Sequence, residues 1–127
     1  MNIIINFNSM IPIYEQLVDQ IKLLIRKNEL KTNDNLPSVR MLAKDLKISA
    51  LTVKKAYDLL ESEGIVKTIH GKGTYVSFVN KELIREEQIK SLEESIDIII
   101  KKAKMVGISN KEIKDTFLLI LEDNTDD

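Results

Sequence analysis

The stretch from Leu36 to Val76, LPSVRMLAKDLKISALTVKKAYDLLESEGIVKTIHGKGTYV, constrains the fold more than any other part of the chain. Val39, Leu42, Ala43 and Leu46 fall on one face of a short helix that Ser38 is placed to cap. Lys47 and Ile48 make a turn. Ser49 is placed to cap a second helix, on which Val53, Ala56, Tyr57 and Leu60 recur at the spacing of one buried face. Gly64 suits the left-handed residue that stops a helix. Beyond it, residues 65–69 and 74–79 are β-rich runs joined by His70-Gly71-Lys72-Gly73, whose glycines permit a tight hairpin. Two short helices joined by a tight turn and followed by a hairpin describe a winged helix-turn-helix. That motif commonly places its second helix in the major groove of DNA.

The flanking segments extend this reading. Residues 2–12 look extended or irregular, and Pro12 suits a helix start. Tyr14, Leu17, Val18, Ile21, Leu24 and Ile25 trace one helical face that fades at Lys27-Asn28, and residues 29–35 read as a polar connection. Asn80 is placed to cap a long helix carrying Ile89, Leu92, Ile96, Ile99, Ala103 and Val106 at alternating spacings of three and four, a heptad seam. Gly107 stops it. Ser109-Asn110-Lys111-Glu112 is a capping box opening a last helix with Ile113, Phe117, Ile120 and Leu121 on its apolar face. The acidic tail, Glu122 to Asp127, is expected to fray.

The expected fold is therefore mainly α with a small β-hairpin. A winged helix-turn-helix domain occupies residues 1–79, and a two-helix region occupies residues 80–127. So short a helical region cannot bury two apolar seams alone, so the seam calls for a partner. Ile89, Leu92, Ile96, Ile99, Ala103, Val106, Phe117, Ile120 and Leu121 are the candidate dimerisation residues. The alternative is a seam folded back on the winged domain. The region is also too small to enclose a drug-sized cavity of ~300 Å³. A small-molecule effector is therefore not expected, unless it sits at an interface.

Composition excludes whole classes of function. At 43% hydrophobic residues the chain can form a core. It has no cysteine, hence no disulfide, thiolate metal site or cysteine nucleophile. Its single histidine, His70, argues against a metal centre. No nucleophile–base pair or phosphate-binding loop appears, so neither an enzyme nor a cofactor is expected. No apolar window approaches the ~18 residues of a membrane span, so the chain reads as soluble and cytoplasmic. The net charge of −1 hides a division: residues 1–80 hold eleven basic against eight acidic side chains, and residues 81–127 hold eight against twelve. The basic surplus lies with the helix-turn-helix, where phosphates would be met.

The candidate DNA-contacting residues follow from the motif. The second helix of the pair would present Ser49, Ala50, Leu51, Thr52, Lys54 and Lys55 on its first turns. Ala50 and Leu51 donate no hydrogen bond, and Leu51 suits a thymine methyl. Arg40 on the preceding helix could grip a phosphate; the alternative is an internal pair with Asp45 or Glu61. His70, Gly71, Lys72, Gly73 and Thr74 form the wing tip. The plainer reading is that the hydroxyls only cap, the lysines are a solvated face and the glycines merely turn the chain.

The spaced set Pro12-Ile13-Tyr14-Glu15-Gln16-Leu17, Leu36-Pro37-Ser38-Val39-Arg40, Leu42-Ala43, Ile48-Ser49, Thr52-Val53, Ala56-Tyr57, Leu60-Glu61, Gly64 and Gly71-Lys72-Gly73-Thr74-Tyr75-Val76 resembles the DNA-binding domain of the GntR family of bacterial transcription regulators. The short end of the chain, with Ala103-Lys104, Gly107 and Ser109, resembles the YtrA subfamily. The resemblance implies a homodimer that binds a palindromic operator and represses an operon, often of an ABC transporter, without a large effector domain. It implies DNA contacts at Arg40, Ser49, Ala50, Leu51, Thr52, Lys54, His70 and Gly71. Many members carry Arg or Asn where this chain has Ala50, which puts the preferred bases in question. The competing reading is a winged-helix protein-interaction module that never meets DNA.

Overall fold

The apolar stripe along the first helix and the face read from Val53 to Leu60 meet as the centre of the core. The structure, a computed structural model, describes residues 1–124, ordered α1 (Ile13–Arg26), α2 (Val39–Leu46), α3 (Ala50–Ser62), β1 (Val66–Ile69), β2 (Gly73–Val76), α4 (Lys81–Met105) and α5 (Asn110–Asp123). Two compact units divide it, Met1–Ile84 and the residues from Arg85 onward. In the first, Leu17, Val18, Ile21, Leu24 and Ile25 of α1 are buried with Val53, Ala56, Tyr57 and Leu60 of α3 and Leu42 and Ala43 of α2. This is a winged helix-turn-helix.

Local chemistry sets the boundaries. Ser38 Oγ accepts the Met41 amide at 3.2 Å and starts α2. Lys47 ends α2 in the left-handed region, at φ 58°. Ser49 Oγ accepts the Thr52 amide at 3.0 Å and starts α3. The Tyr57 hydroxyl donates to the Pro37 carbonyl at 2.8 Å, tying α3 to the entry of α2, and burial pushes that phenol up from its ordinary range. Tyr57→Phe removes one buried hydrogen bond worth ~1 kcal/mol. A thermal melt should register it as a drop of about 4–8 °C in a unit of this size.

Two segments differ from the sequence reading. The polar connection before α2 is the outer edge of the wing. The Asn33 amide donates to Val76 O at 2.8 Å, the Val76 amide to Asp34 O at 2.9 Å and the Leu36 amide to Thr74 O at 2.8 Å. The second β-run stops at Val76 instead of continuing to Val79. β1 begins only at Val66, because Ile65 is still turning off α3 through its amide bond to Leu60 O, and the last rung is the Ser77 amide donating to Ile65 O at 3.0 Å.

The N-terminal arm is also more ordered than its composition suggests. Ile3 is buried, and Gln20 and Gln16, one turn apart on α1, hold the arm with side-chain amides. Gln20 accepts the Ile4 amide at 2.9 Å, and Gln16 accepts the Asn6 amide at 2.9 Å while donating to Ile11 O at 2.8 Å.

In the second unit the Ser109–Glu112 capping box forms as read, and the Ser109 amide holds the Glu112 carboxyl below its ordinary range. From Arg85 to Asn124 no side chain is fully buried. Glu122 and Asp123 belong to α5; the rest of the tail expected to fray, residues 125–127, lies outside the described residues.

Candidate nucleic-acid interface

Burial of Val53, Ala56, Tyr57 and Leu60 fixes the rotation of α3 and turns Leu51, Lys54, Lys55 and Asp58 outward. Leu51 stands 76% exposed, and Ala50 beside it is exposed as well. The polar groups around them are engaged. Ser49 Oγ and Thr52 Oγ1 lie 2.7 Å apart in the cap. Lys54 Nζ sits 2.7 Å from Asp58 Oδ2, one turn along the same face. Lys55 Nζ lies 3.9 Å from the centroid of the Tyr14 ring, a cation–π contact that draws it toward α1. Exposed pairs of this kind are worth ~0–1 kcal/mol, so an arriving phosphate can recruit either ammonium at small cost.

Arg40 is exposed on α2 and makes no ion pair with Asp45 or Glu61 among the described residues. Glu61 is occupied elsewhere: its Oε2 accepts the Thr68 amide of β1 at 2.9 Å. The wing pairs antiparallel, Val66 with Val76 through Ile69 with Gly73. The Lys72 amide donates to Ile69 O at 2.9 Å to close the turn, and the Tyr75 hydroxyl braces the tip by donating to Lys72 O at 3.0 Å. Gly73 adopts φ 119°, a backbone conformation that calls for glycine, and a Cβ there would also press on the Asn35 side-chain oxygen at 3.2 Å. His70, Gly71, Lys72 and Gly73 are exposed at the tip. Thr74 is half-buried, its hydroxyl 3.3 Å from that of Thr68.

The fold thus brings the candidates on α3 to one surface and the wing candidates to one hairpin tip. The residues that orient Lys54 and Lys55 are Asp58, which the sequence reading does not single out, and Tyr14, which it places only on the apolar face of the first helix. The i,i+4 spacing of Lys54 and Asp58 was a legible signal for the first; Tyr14 shows only once α1 packs on α3. No cluster of His, Cys, Asp or Glu able to hold a metal occurs among the described residues, and no described helix is long and apolar enough to cross a membrane.

In the second unit, the seam residues Ile96, Ile99 and Ala103 line two apolar grooves together with Ile113, Phe117 and Ile120 of α5. The grooves, of about 440 and 200 Å³, are open to solvent, in place of an enclosed cavity. Ile89, Leu92, Val106 and Leu121 are 41%, 57%, 75% and 62% exposed.

Comparison with known proteins agrees with this geometry. The family described as bacterial regulatory proteins, gntR family, matches residues 13–76. The HTH-type transcriptional repressor YtrA of Bacillus subtilis (strain 168) is 39% identical over 102 residues, which span 80% of this chain and 78% of that protein. Among solved structures, a transcriptional antiterminator from Listeria monocytogenes EGD-e matches with a TM-score of 0.67 at 28% identity, covering 97% of this chain and 92% of its own. YtrA from Sulfolobus acidocaldarius, a GntR-family transcription factor, matches with a TM-score of 0.58 at 39% identity, over 72% of this chain and 97% of its own. These are regulators and not enzymes. The chain belongs to the GntR family of bacterial regulatory proteins.

Proposed function

We propose that this chain is a cytoplasmic, DNA-binding transcriptional repressor that occupies a palindromic operator as a homodimer. The observation that carries the reading is the outward face of α3. On that face Leu51 is 76% exposed, with Lys54 and Lys55 held beside it. In this reading Ser49, Ala50, Leu51, Thr52 and Lys54 meet the major groove, with Lys55 at its flank. Arg40 grips a backbone phosphate, and His70, Gly71, Lys72, Gly73 and Thr74 follow the adjacent backbone or minor groove. Residues 1–79 do the reading and residues 80–127 the pairing, through the seam that lacks a core of its own. Two-fold pairing presents two copies of α3 to half-sites ~34 Å apart. A transporter operon is the target class that the resemblance implies.

Footprinting at low salt on the promoter region upstream of the chain's own gene tests this. A protected inverted repeat is expected, and the absence of any protected segment overturns the proposal. Arg40→Ala should weaken operator and non-specific duplexes alike and lower the slope of log affinity against log salt by about one, as loss of one phosphate contact does. Lys54→Ala should cost more on the operator than on random duplex, with an unchanged melting temperature. Equal losses on both duplexes would restrict Lys54 to the phosphates.

A further inference from the structure

The helical unit has a charge polarity that its apolar seam does not explain. Residues 85–97 carry five acidic side chains against two basic ones, whereas residues 98–114 carry five basic against one acidic. Asp97 pairs with Lys101 at 2.7 Å, and Lys111 with Asp115 at 3.6 Å. Glu86, Glu87, Glu93 and Glu94 at one end, and Lys102, Lys104 and Lys114 at the other, have no ion-pair partner among the described residues.

The apolar volume is lopsided in the same sense. Both grooves between α4 and α5 are walled on the α4 side only by residues from Ile96 onward. Ile89 and Leu92 continue the seam toward the start of α4 as an exposed ridge that lines neither groove. One end of the unit is thus an apolar cleft accompanied by lysines, and the other an apolar ridge accompanied by carboxylates.

From this we infer that a second copy docks antiparallel. The Ile89–Leu92 ridge of each copy seats in the cleft between α4 and α5 of the other, its acidic flank against the lysines. The inference rests on the homodimer reading above and adds the orientation and the occupant of the cleft. The seam accommodates it. An antiparallel register about the midpoint between Asp97 and Ile98 sets Ile89 opposite Val106, Leu92 opposite Ala103 and Ile96 opposite Ile99, with a large residue facing a small one at the middle pair. A parallel pair would stack carboxylates on carboxylates and lysines on lysines. The apolar seam supplies affinity without regard to direction. The charges contribute little affinity but favour one direction and oppose the other, and all of them add to that difference.

The chain contains no cysteine, so an introduced thiol reports one position. Leu92→Cys and Ala103→Cys, each in the full chain, are oxidised separately and as an equal mixture. Facing positions come within disulfide reach, a Cα separation below about 7 Å. The mixture is expected to give at least about ten times more covalent dimer than either variant alone, because like charges brought face to face oppose the parallel arrangement. Ile89→Cys with Val106→Cys repeats the test at a pair independent of any loosening by Leu92→Cys. Self-crosslinking of each variant alone sets the helices parallel and overturns the orientation while leaving the homodimer standing. A sedimenting dimer that crosslinks in none of these combinations places the contact on another face and also overturns the inference. A chain that sediments as a monomer overturns the homodimer reading itself.

Discussion

Ile96→Asp is expected to convert the proposed homodimer to a monomer and to weaken operator binding by about 10²–10⁴-fold, the range that linked binding sites gain from effective concentration. Ile96 lies at the middle of the seam and lines the larger groove. A carboxylate placed there must be desolvated against a lining that is apolar except for Asn110 and Lys114 at one end, which opposes association through this face. The winged unit ends at Ile84 and keeps its own core, so its melting transition should not move. Sedimentation measures the first effect and fluorescence anisotropy on an operator duplex the second. Leu92→Asp is the companion variant, because Leu92 is 57% exposed and lines neither groove, so it cannot act by disturbing the packing of α5. If both variants still sediment as dimers with undiminished affinity, the pairing surface lies outside the seam.

The helices and their ends are legible in the sequence because each is set by local rules. Ser38, Ser49 and Ser109 cap α2, α3 and α5, and Gly64 and Gly107 follow the ends of α3 and α4 at positive φ. The buried face of α3 could be named residue by residue, because a helix that packs on one side alone repeats its apolar positions strictly. What escaped depends on partners distant in sequence. Residues 33–36 carry no β-pattern of their own; they are strand-like only because β2 offers them a free edge. Ile3, Ile4 and Ile5 form an unbroken apolar run that does not mark which side of the arm packs, and the amides that hold it belong to Gln16 and Gln20, which on α1 read as ordinary surface residues. On the candidate DNA surface, residue types were legible and their engagements were not. That Lys54 bonds Asp58 and Lys55 covers Tyr14 are facts of side-chain placement, and they decide which polar groups an operator must displace before it can use them.

The largest stability effect is expected from Leu60→Ala. Leu60 is fully buried in the last turn of α3, in the same cluster as Leu17 and Ile21 of α1, and the amide that starts the wing, that of Ile65, bonds to its carbonyl at 2.9 Å. Truncation removes the transfer energy of the lost carbons and leaves a void that α1 and α3 cannot both close, together ~2–5 kcal/mol. That is a large share of the 5–15 kcal/mol typical of a domain, and it corresponds to a fall in melting temperature of roughly 10–30 °C. Leu59→Ala, one residue earlier and 38% exposed, removes the same atoms from a half-solvated site and should cost well under half as much. The pair separates packing from helix propensity, because Leu→Ala at neighbouring positions changes propensity alike. DNA affinity gives a second readout. Leu60 faces away from the outward side of α3, so at temperatures where the variant remains folded its operator affinity should match that of the parent chain. It should then vanish along the melting curve. A loss of affinity that precedes unfolding would mean that the core sets the pose of α3 on DNA as well as its stability. Coincident curves would confine the role of Leu60 to holding α3 in place.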